Sequence, residues 1–208
     1  MNKILILAVS KKHGGFCVAG KDVDSNKWLR LVSDPNGGAL TETHTRFIDI
    51  EGNIYNDPIH KILEVELGRY VPLIYQPENY MISGVQWRQS KNIHENVFID
   101  TPKDLWGEGD RISNEDICHG KITIESSLYQ IKALCINFHT KTFEGKLKRR
   151  LSFDYNGHYY DLASTMSEQT FDDIKNGTKT HNNLITVSLS DPFKQHDNSH
   201  YKLAAGIY

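Results

Sequence analysis

The sequence has little of what marks several large classes of protein. Its 208 residues carry a formal net charge of −2, so no global positive field draws the chain onto nucleic acid. Its three cysteines, Cys17, Cys118 and Cys135, are far apart and odd in number, which is typical of reduced thiols in the cytoplasm rather than of a disulfide framework. Binding to a polyanion would therefore have to come from a local patch of charge.

Long apolar runs and familiar catalytic motifs are also missing. No segment approaches the roughly 20 apolar residues of a membrane span, and the run at 4–9 reads as a buried strand. There is no GK[ST], HExxH or CxxC sequence, which excludes a P-loop and the common zinc motifs. The densest histidine cluster, His196, Asp197 and His200, falls in a polar loop. We predict no catalytic residue, metal, cofactor or membrane partner.

What is present is a succession of strands. The second half reads as strands at 128–138 and 146–154, a hairpin turn at Asn156–Gly157 leading into a third strand, a helix, and strands at 183–189 and 200–208. Thr165 and Glu168 have the spacing of a capping box for that helix, and Ser113 with Asp116 has a weaker one for a short helix. This order of elements is that of a five-stranded oligonucleotide/oligosaccharide-binding (OB) barrel.

The first half can be laid over the second. Residues 4–33 and 131–164 both run from an apolar strand through a Lys, His and Gly loop to an aromatic strand, and 60–67 sits opposite 181–189. The identities are few, so duplication and chance both stay open. We predict an all-β protein with a minor helix, built as two tandem OB-like five-stranded barrels packed together, the first at 1–120 with inserted loops and the second at 121–208.

Both ends of the chain resemble a known family. The segment KILILAVSKKHGGFCVAGKDVDSNKWLRLVSD and the carboxy-terminal VSLSDPF and HYKLAAGIY stretches look like the bacterial dual OB-containing domain family. The resemblance implies two OB barrels in tandem. It also implies recognition of nucleic acid or nucleotides, in bacterial defence-type settings, and it supplies no established catalytic residues.

A basic glycine turn between the first two strands is the first candidate site. Consecutive backbone amides in such a turn can form a nest for an anion, and the neighbouring side chains can supply charge. The alternative is a hairpin whose lysines are merely solvated. The predicted phosphate-binding residues are Lys11, Lys12, His13, Gly14 and Gly15.

Trp28 and Arg30 share one face of the third strand and extend this predicted ligand site. In OB barrels, bases stack on aromatic side chains of the second and third strands, and a neighbouring arginine suits a phosphate. The same alternation can instead place Trp28 in the core. Both interpretations stay open.

A basic run in the second half is the candidate nucleic-acid surface. Lys146, Lys148 and Arg150 fall on one face of a strand, where an exposed stripe would follow phosphates, and Tyr159 adds a ring. Leu147, Arg149 and Leu151 fall on the other face. The alternative is an edge strand that lysine and arginine protect from aggregation.

These observations favour a non-catalytic, cytoplasmic recognition module for single-stranded nucleic acid or a nucleotide-type ligand. One rival hypothesis is a small enzyme acting on nucleotides or nucleic acid through His13 or Cys17. Another is an adaptor that binds a protein partner.

Overall fold

The computed structural model describes residues 1–12, 14–90 and 98–208. The chain divides into two compact units, Met1–Phe98 and Ile99–Tyr208. Each has its own sheet, of nine strands in the first unit and seven in the second, which confirms the predicted all-β fold with minor helix. Within the described residues, no helix has the length and apolar character needed to span a membrane.

The first unit is built around a long opening hairpin. Its strands are β1 Asn2–Lys12, β2 Gly15–Asp22, β3 Trp28–Val32, β4 Phe47–Ile48, β5 Ile54–Tyr55, β6 Ile62–Val65, β7 Leu67–Tyr70, β8 Asn79–Ile82 and β9 Trp87–Gln89, with the short helix α1 at Glu42–Thr45. They follow the order β5-β4-β9-β6-β1-β2-β3-β8-β7 across the sheet. Alternate residues point inward. Ile4, Val18 and Leu31 therefore meet in one core.

The second unit repeats the hairpin theme with longer strands. Its elements are β10 Arg111–Ser113, α2 Asn114–Cys118, β11 Leu128–Lys132, β12 Leu134–Phe143, β13 Lys146–Tyr155, β14 His158–Ser164, α3 Glu168–Lys175, β15 Leu184–Pro192 and β16 Ser199–Ile207. The sheet runs β11-β15-β16-β14-β13-β12, and β10 pairs with β16. Leu151, Leu162 and Val187 lie in its core and are fully buried.

The two units share one topology of five strand positions. In the first unit, positions one to three are β1, β2 and β3, position four is β6 together with β7, and position five is β8. In the second unit, position one is β11 together with β12, and positions two to five are β13, β14, β15 and β16. In both units the third and fifth positions pair in parallel, and the first and fourth pair antiparallel. A helix precedes the fourth position in each. The OB-like order predicted for the second half is thus present twice, and the structural correspondence follows the predicted overlay.

One detail of the predicted architecture needs correction. The described strands of each sheet do not close into a five-stranded barrel, and the open path of shared strand positions ends at β6 and β7 in the first unit and at β11 and β12 in the second. The compact units divide between Phe98 and Ile99, and β10, which precedes the predicted boundary at residue 120, pairs with β16, with Ile112 opposite His200.

Local turn and cap chemistry explains where the elements begin and end. Asn156 and Gly157 both have positive φ, at 49° and 81°, as a two-residue hairpin turn requires, and this prediction is confirmed. The cap of α3 is Ser167, whose hydroxyl accepts from the Thr170 amide, and not Thr165. Thr165 is held elsewhere, because its amide donates to the carbonyl of Ala204. Ser113 precedes α2 but makes no side-chain cap hydrogen bond.

Candidate nucleic-acid interface

The hairpin of β12 and β13 extends away from the core of the second unit. Its tip is a two-residue turn at Glu144 and Gly145, both with positive φ, which brings Phe143 opposite Lys146. Every residue from 140 to 148 is exposed. The tip is therefore an open surface that no other described part of the chain covers.

The inner face of this hairpin is anchored to α3. Arg149 Nη2 lies 3.0 Å from Asp172 Oδ2 and its Nη1 lies 3.1 Å from Glu168 Oε1. The hydrogen bond to Arg149 lowers the pKa of Asp172. Phe138, from the same face, packs edge-on against Phe171 with ring centroids 5.2 Å apart. These contacts fix the base of the hairpin against the helix and leave its tip free.

The outer face carries the predicted basic stripe. Lys146 and Lys148 are exposed, and in the described part of the chain neither has a carboxylate within ion-pair distance. Arg150 is more enclosed, because its Nε donates to Asp161 Oδ1 at 2.7 Å and its Nη2 donates to the Asp161 carbonyl oxygen. Strand alternation thus places these three cations together, as predicted, and two of them are available to a ligand.

The edge-strand alternative for this stripe stays open. β13 pairs with β14 only from Arg150 to Tyr155, whereas residues 146–149 pair with β12 alone. Among the described strands, none pairs with the second backbone edge of that segment, which carries Lys146 and Lys148. Their charge can therefore discourage strand addition at this edge as well as attract a ligand.

Several members of this face escaped the sequence interpretation. His139 Nε2 lies 3.3 Å from Asp161 Oδ1, and Lys141 Nζ lies 3.6 Å from Asp161 Oδ2. Phe143 is 57% exposed beside the lysines, and the predicted Tyr159 is 69% exposed on β14. The signal that could have found His139 and Lys141 is the hairpin register, which sets them opposite Arg150 and Lys148. We call these side chains, with Lys146, Lys148, Arg150 and Asp161, the cationic face.

The equivalent turn in the first unit is built differently. Lys11 is exposed, Lys12 pairs with Gly15, and Gly14 has a φ of +82°, while His13 lies outside the described residues. The Phe16 amide donates to the Leu40 carbonyl at 2.7 Å, so this amide is already occupied. A Cβ on Gly15 would lie 2.5 Å from the same carbonyl oxygen. The Phe16 amide was not among the predicted donors, and the anion nest at 11–15 stays a prediction.

Trp28 and Arg30 do not form the exposed stacking pair that the sequence suggested. Trp28 is half-buried, and Lys21 Nζ lies 5.3 Å from the centroid of its ring. Arg30 is only 6% exposed and its Nε lies 3.5 Å from Glu78 Oε1. Leu29 and Leu31 supply the core face of β3 in place of Trp28. The guanidinium of Arg30 is enclosed with a carboxylate, so it is not available to attract a phosphate.

The histidine-rich loop before β16 does not assemble a metal site. His200 is fully buried, with Nδ1 2.8 Å from the Ser190 carbonyl oxygen and Nε2 2.9 Å from Asn114 Oδ1. Asp197 instead binds Arg111. Across residues 1–12, 14–90 and 98–208, no three His, Cys, Asp or Glu side chains gather as metal ligands would. Burial lowers the pKa of His200, which fits a structural role.

A buried lysine braces the second unit. Lys202 Nζ donates to the carbonyl oxygens of Gly107 and Glu108, at 2.7 and 3.1 Å, and lies 5.7 Å from the ring centroid of Tyr160. Burial lowers the pKa of this lysine to about 8, partly offset by the charges of Asp104 and Asp110. Lys202 thereby holds a glycine-containing loop against the sheet and belongs to the framework of the unit.

Comparison with known proteins agrees with the fold. No curated protein matches the sequence. The model of the dual OB-containing domain family matches residues 2–207, which is nearly the whole chain. Together with the twice-repeated OB-like strand order, this match shows that the chain belongs to the dual OB-containing domain family.

Proposed function

We propose that the chain is a non-catalytic recognition module that binds single-stranded nucleic acid on the cationic face of its second unit. The observation that carries this proposal is a pair of exposed lysines beside the exposed ring of Phe143, on a chain whose net charge is −2. The described side chains place no carboxylate within ion-pair distance of Lys146 or Lys148, and the exposed ring of Tyr159 lies farther along the same face, opposite Asp154. OB folds bind oligonucleotides through the second and third strands and the loop between the first and second. The cationic face occupies the corresponding elements, β13, β14 and the tip of the β12–β13 hairpin.

In this proposal, lysines of the cationic face bind the phosphates and its aromatic rings stack on the bases. Lys146 and Lys148, with Lys141 at the margin, supply the positive charge that displaces counterions from a phosphate backbone. Tyr159 and Phe143 offer open rings on which bases stack, each worth about 1–3 kcal/mol per base. Asp161 neutralises Arg150, so the contact with phosphate is concentrated at the hairpin tip. A cytoplasmic setting, which three cysteines outside disulfide bonds suit, is part of the proposal.

The salt dependence of binding tests the electrostatic part. We expect a labelled oligonucleotide of about twelve nucleotides to bind at about 50 mM salt and to weaken steeply by about 200 mM, because each phosphate contact releases counterions. The double variant Lys146→Glu and Lys148→Glu should lose binding. Lys175→Glu with Lys179→Glu is the matched control, since it reverses two exposed lysines outside the cationic face. Equal losses in both variants would contradict the assigned surface.

The stacking part needs a separate experiment. Tyr159→Ala should weaken oligonucleotide binding about tenfold, whereas Tyr159→Phe, which keeps the ring, should bind nearly as the parent does. Because Tyr159 is largely exposed, neither change should move the melting temperature by more than about 2 °C. Unchanged affinity in Tyr159→Ala would remove this ring from the proposed surface.

A further inference from the structure

Asp161 is an acidic group bounded by His139, Lys141 and Arg150 on the cationic face, and a second acid, Asp154, lies opposite Tyr159 on the same side of the sheet. Asp161 Oδ1 accepts from Arg150 Nε at 2.7 Å and lies 3.3 Å from His139 Nε2. Arg150 also donates to the Asp161 carbonyl oxygen, which holds side chain and backbone in one fork. The carboxylate is thus fixed in place by two neighbouring strands, β12 and β13, and is not a mobile surface charge.

One oxygen of that carboxylate retains accepting capacity. Oδ2 faces Lys141 Nζ at 3.6 Å, which is longer than a hydrogen bond, and the Asp161 side chain is 21% exposed. A carboxylate has about four acceptor positions, and Oδ1 already fills its share. Oδ2 can therefore accept a hydrogen bond from a ligand, while its negative charge repels a ligand oxygen.

Tyr159 places a stacked base beside this acceptor. Tyr159 and Asp161 are alternate residues of β14, so their side chains leave the same face about 7 Å apart. A base lying on the exposed Tyr159 ring can direct its hydrogen-bonding edge along the strand toward Asp161. The exocyclic amino group of cytosine would meet Oδ2 as a donor, whereas thymine and uracil present a carbonyl oxygen at the same position.

We propose that Asp161 makes the cationic face select bases that carry an exocyclic amino group, so that cytosine is bound in preference to thymine or uracil. This inference rests on the proposed function of the same face. Asp161 acts as the hydrogen-bond acceptor that reads the base, Arg150 and His139 position it, and the lysines at the hairpin tip hold the backbone without regard to sequence.

Binding of oligo(dC) and oligo(dT) of equal length, near neutral pH, tests the selection. Wild-type protein should bind oligo(dC) about tenfold more tightly, because a hydrogen bond to a charged acceptor is gained with cytosine and a repulsion is added with thymine. Oligo(dC) made with N4,N4-dimethylcytosine, which has no amino hydrogens, should lose this advantage. That probe leaves the protein unchanged, so it does not depend on how a variant folds.

Variants then locate the acceptor. Asp161→Asn should bring the two affinities within about twofold, mainly by tighter binding of oligo(dT), since an amide can donate to a carbonyl. Asp154→Asn is the matched control. Asp154 lies opposite Tyr159, and its replacement by asparagine removes one negative charge, as Asp161→Asn does. This control should raise both affinities while keeping their ratio.

The outcomes separate the two proposals. If neither oligonucleotide binds, the proposed function fails and this inference fails with it. If both bind equally to the wild type, or if Asp154→Asn rather than Asp161→Asn removes the preference, nucleic-acid binding stands and the role of Asp161 is refuted.

Discussion

Two hairpins stand at the same place in the two units and have different surroundings. The turn of the β1–β2 hairpin is pinned from the side, because Phe16 and Leu40 exchange backbone hydrogen bonds of 2.7 and 2.8 Å. The β12–β13 hairpin contacts α3 at its base, and residues 140–148 at its tip are exposed on both faces. A shared topology thus yields one hairpin whose turn is attached to residue 40 and one whose tip is exposed.

This difference is the reason we propose the β12–β13 turn, and not the β1–β2 turn, as the binding surface. Both hairpins carry lysines, but those of β12–β13 stand on a strand pair that is exposed on both faces at its tip. Tyr159 is exposed on β14, opposite Asp154 of β13. At the β1–β2 turn, the Phe16 amide donates to the Leu40 carbonyl oxygen. Gly15, which has no Cβ, allows the backbone at residue 40 to approach this closely. Motif composition is similar in the two places, and Lys11 and Gly14 are exposed as the β12–β13 tip is, so the described difference lies in the backbone attachment of the β1–β2 turn to residue 40.

Shortening the open hairpin should have the largest effect. Replacing residues 141–148 with Asn-Gly would close the strands after the pair Thr140 and Arg149, and make this hairpin resemble its counterpart. We expect oligonucleotide affinity to fall by about 100-fold or more, since the lysines and Phe143 are removed together. Because these residues are exposed, the thermal melt followed by circular dichroism should stay within a few degrees of the parent. Retained affinity would contradict the comparison.

Alanine in place of one glycine in each turn should sharpen the contrast. Gly15→Ala would drive a Cβ to 2.5 Å from the Leu40 carbonyl oxygen, so we expect it to lower the free energy of unfolding by about 2–3 kcal/mol. Gly145→Ala meets no atom within 4 Å but keeps a φ of +73°, which costs about 1 kcal/mol. Urea denaturation measures both. Equal destabilisation would show that the first turn is not pinned.

The pH dependence of stability should report on the second unit through Lys202. Its folded pKa of about 8 lies below the ordinary 10.5, so between these values the unfolded chain binds more protons than the folded one. The free energy of unfolding should therefore rise with pH, by about 1.5 kcal/mol between about pH 8 and about pH 9.5. Lys202→Met, compared with the exposed control Lys194→Met, should abolish the rise. A flat wild-type profile would show that this lysine is not desolvated.

The anchor at the base of the open hairpin should give the smallest effect. Arg149→Ala removes ion pairs to Asp172 and Glu168 that are partly exposed, so we expect a loss of about 1 kcal/mol or less in the free energy of unfolding. Lys148→Ala, one residue away with no partner among the described side chains, should change stability by less than about 0.5 kcal/mol. A larger loss from Lys148→Ala than from Arg149→Ala would reverse the assignment of the two faces.

Strand order and turn chemistry could be predicted because they depend on neighbouring residues. The Asn156–Gly157 turn and the alternation of Lys148 with Arg149 are local properties, and both are confirmed. The cap of α3 was misplaced because Thr165 still belongs to the pairing of β14 with β16, which a local pattern does not reveal.

The candidate site depended more on distant contacts. Arg30 looked available in the sequence, but Glu78, far along the chain, encloses it. The partners of Arg150, namely His139 on β12 and Asp161 on β14, become visible only once the strand register is known. The sequence therefore supplied the lysines of the cationic face and missed its acid, Asp161.

Hydrogen–deuterium exchange with and without a bound oligonucleotide tests the central claim most directly, because it reads both hairpins in one sample. We predict that backbone amides at 139–150 and 158–161 exchange more slowly when the oligonucleotide is bound, with no change around the turn at 11–15. Protection at 11–15 with none at 139–150 would contradict it and would assign the ligand to the first unit.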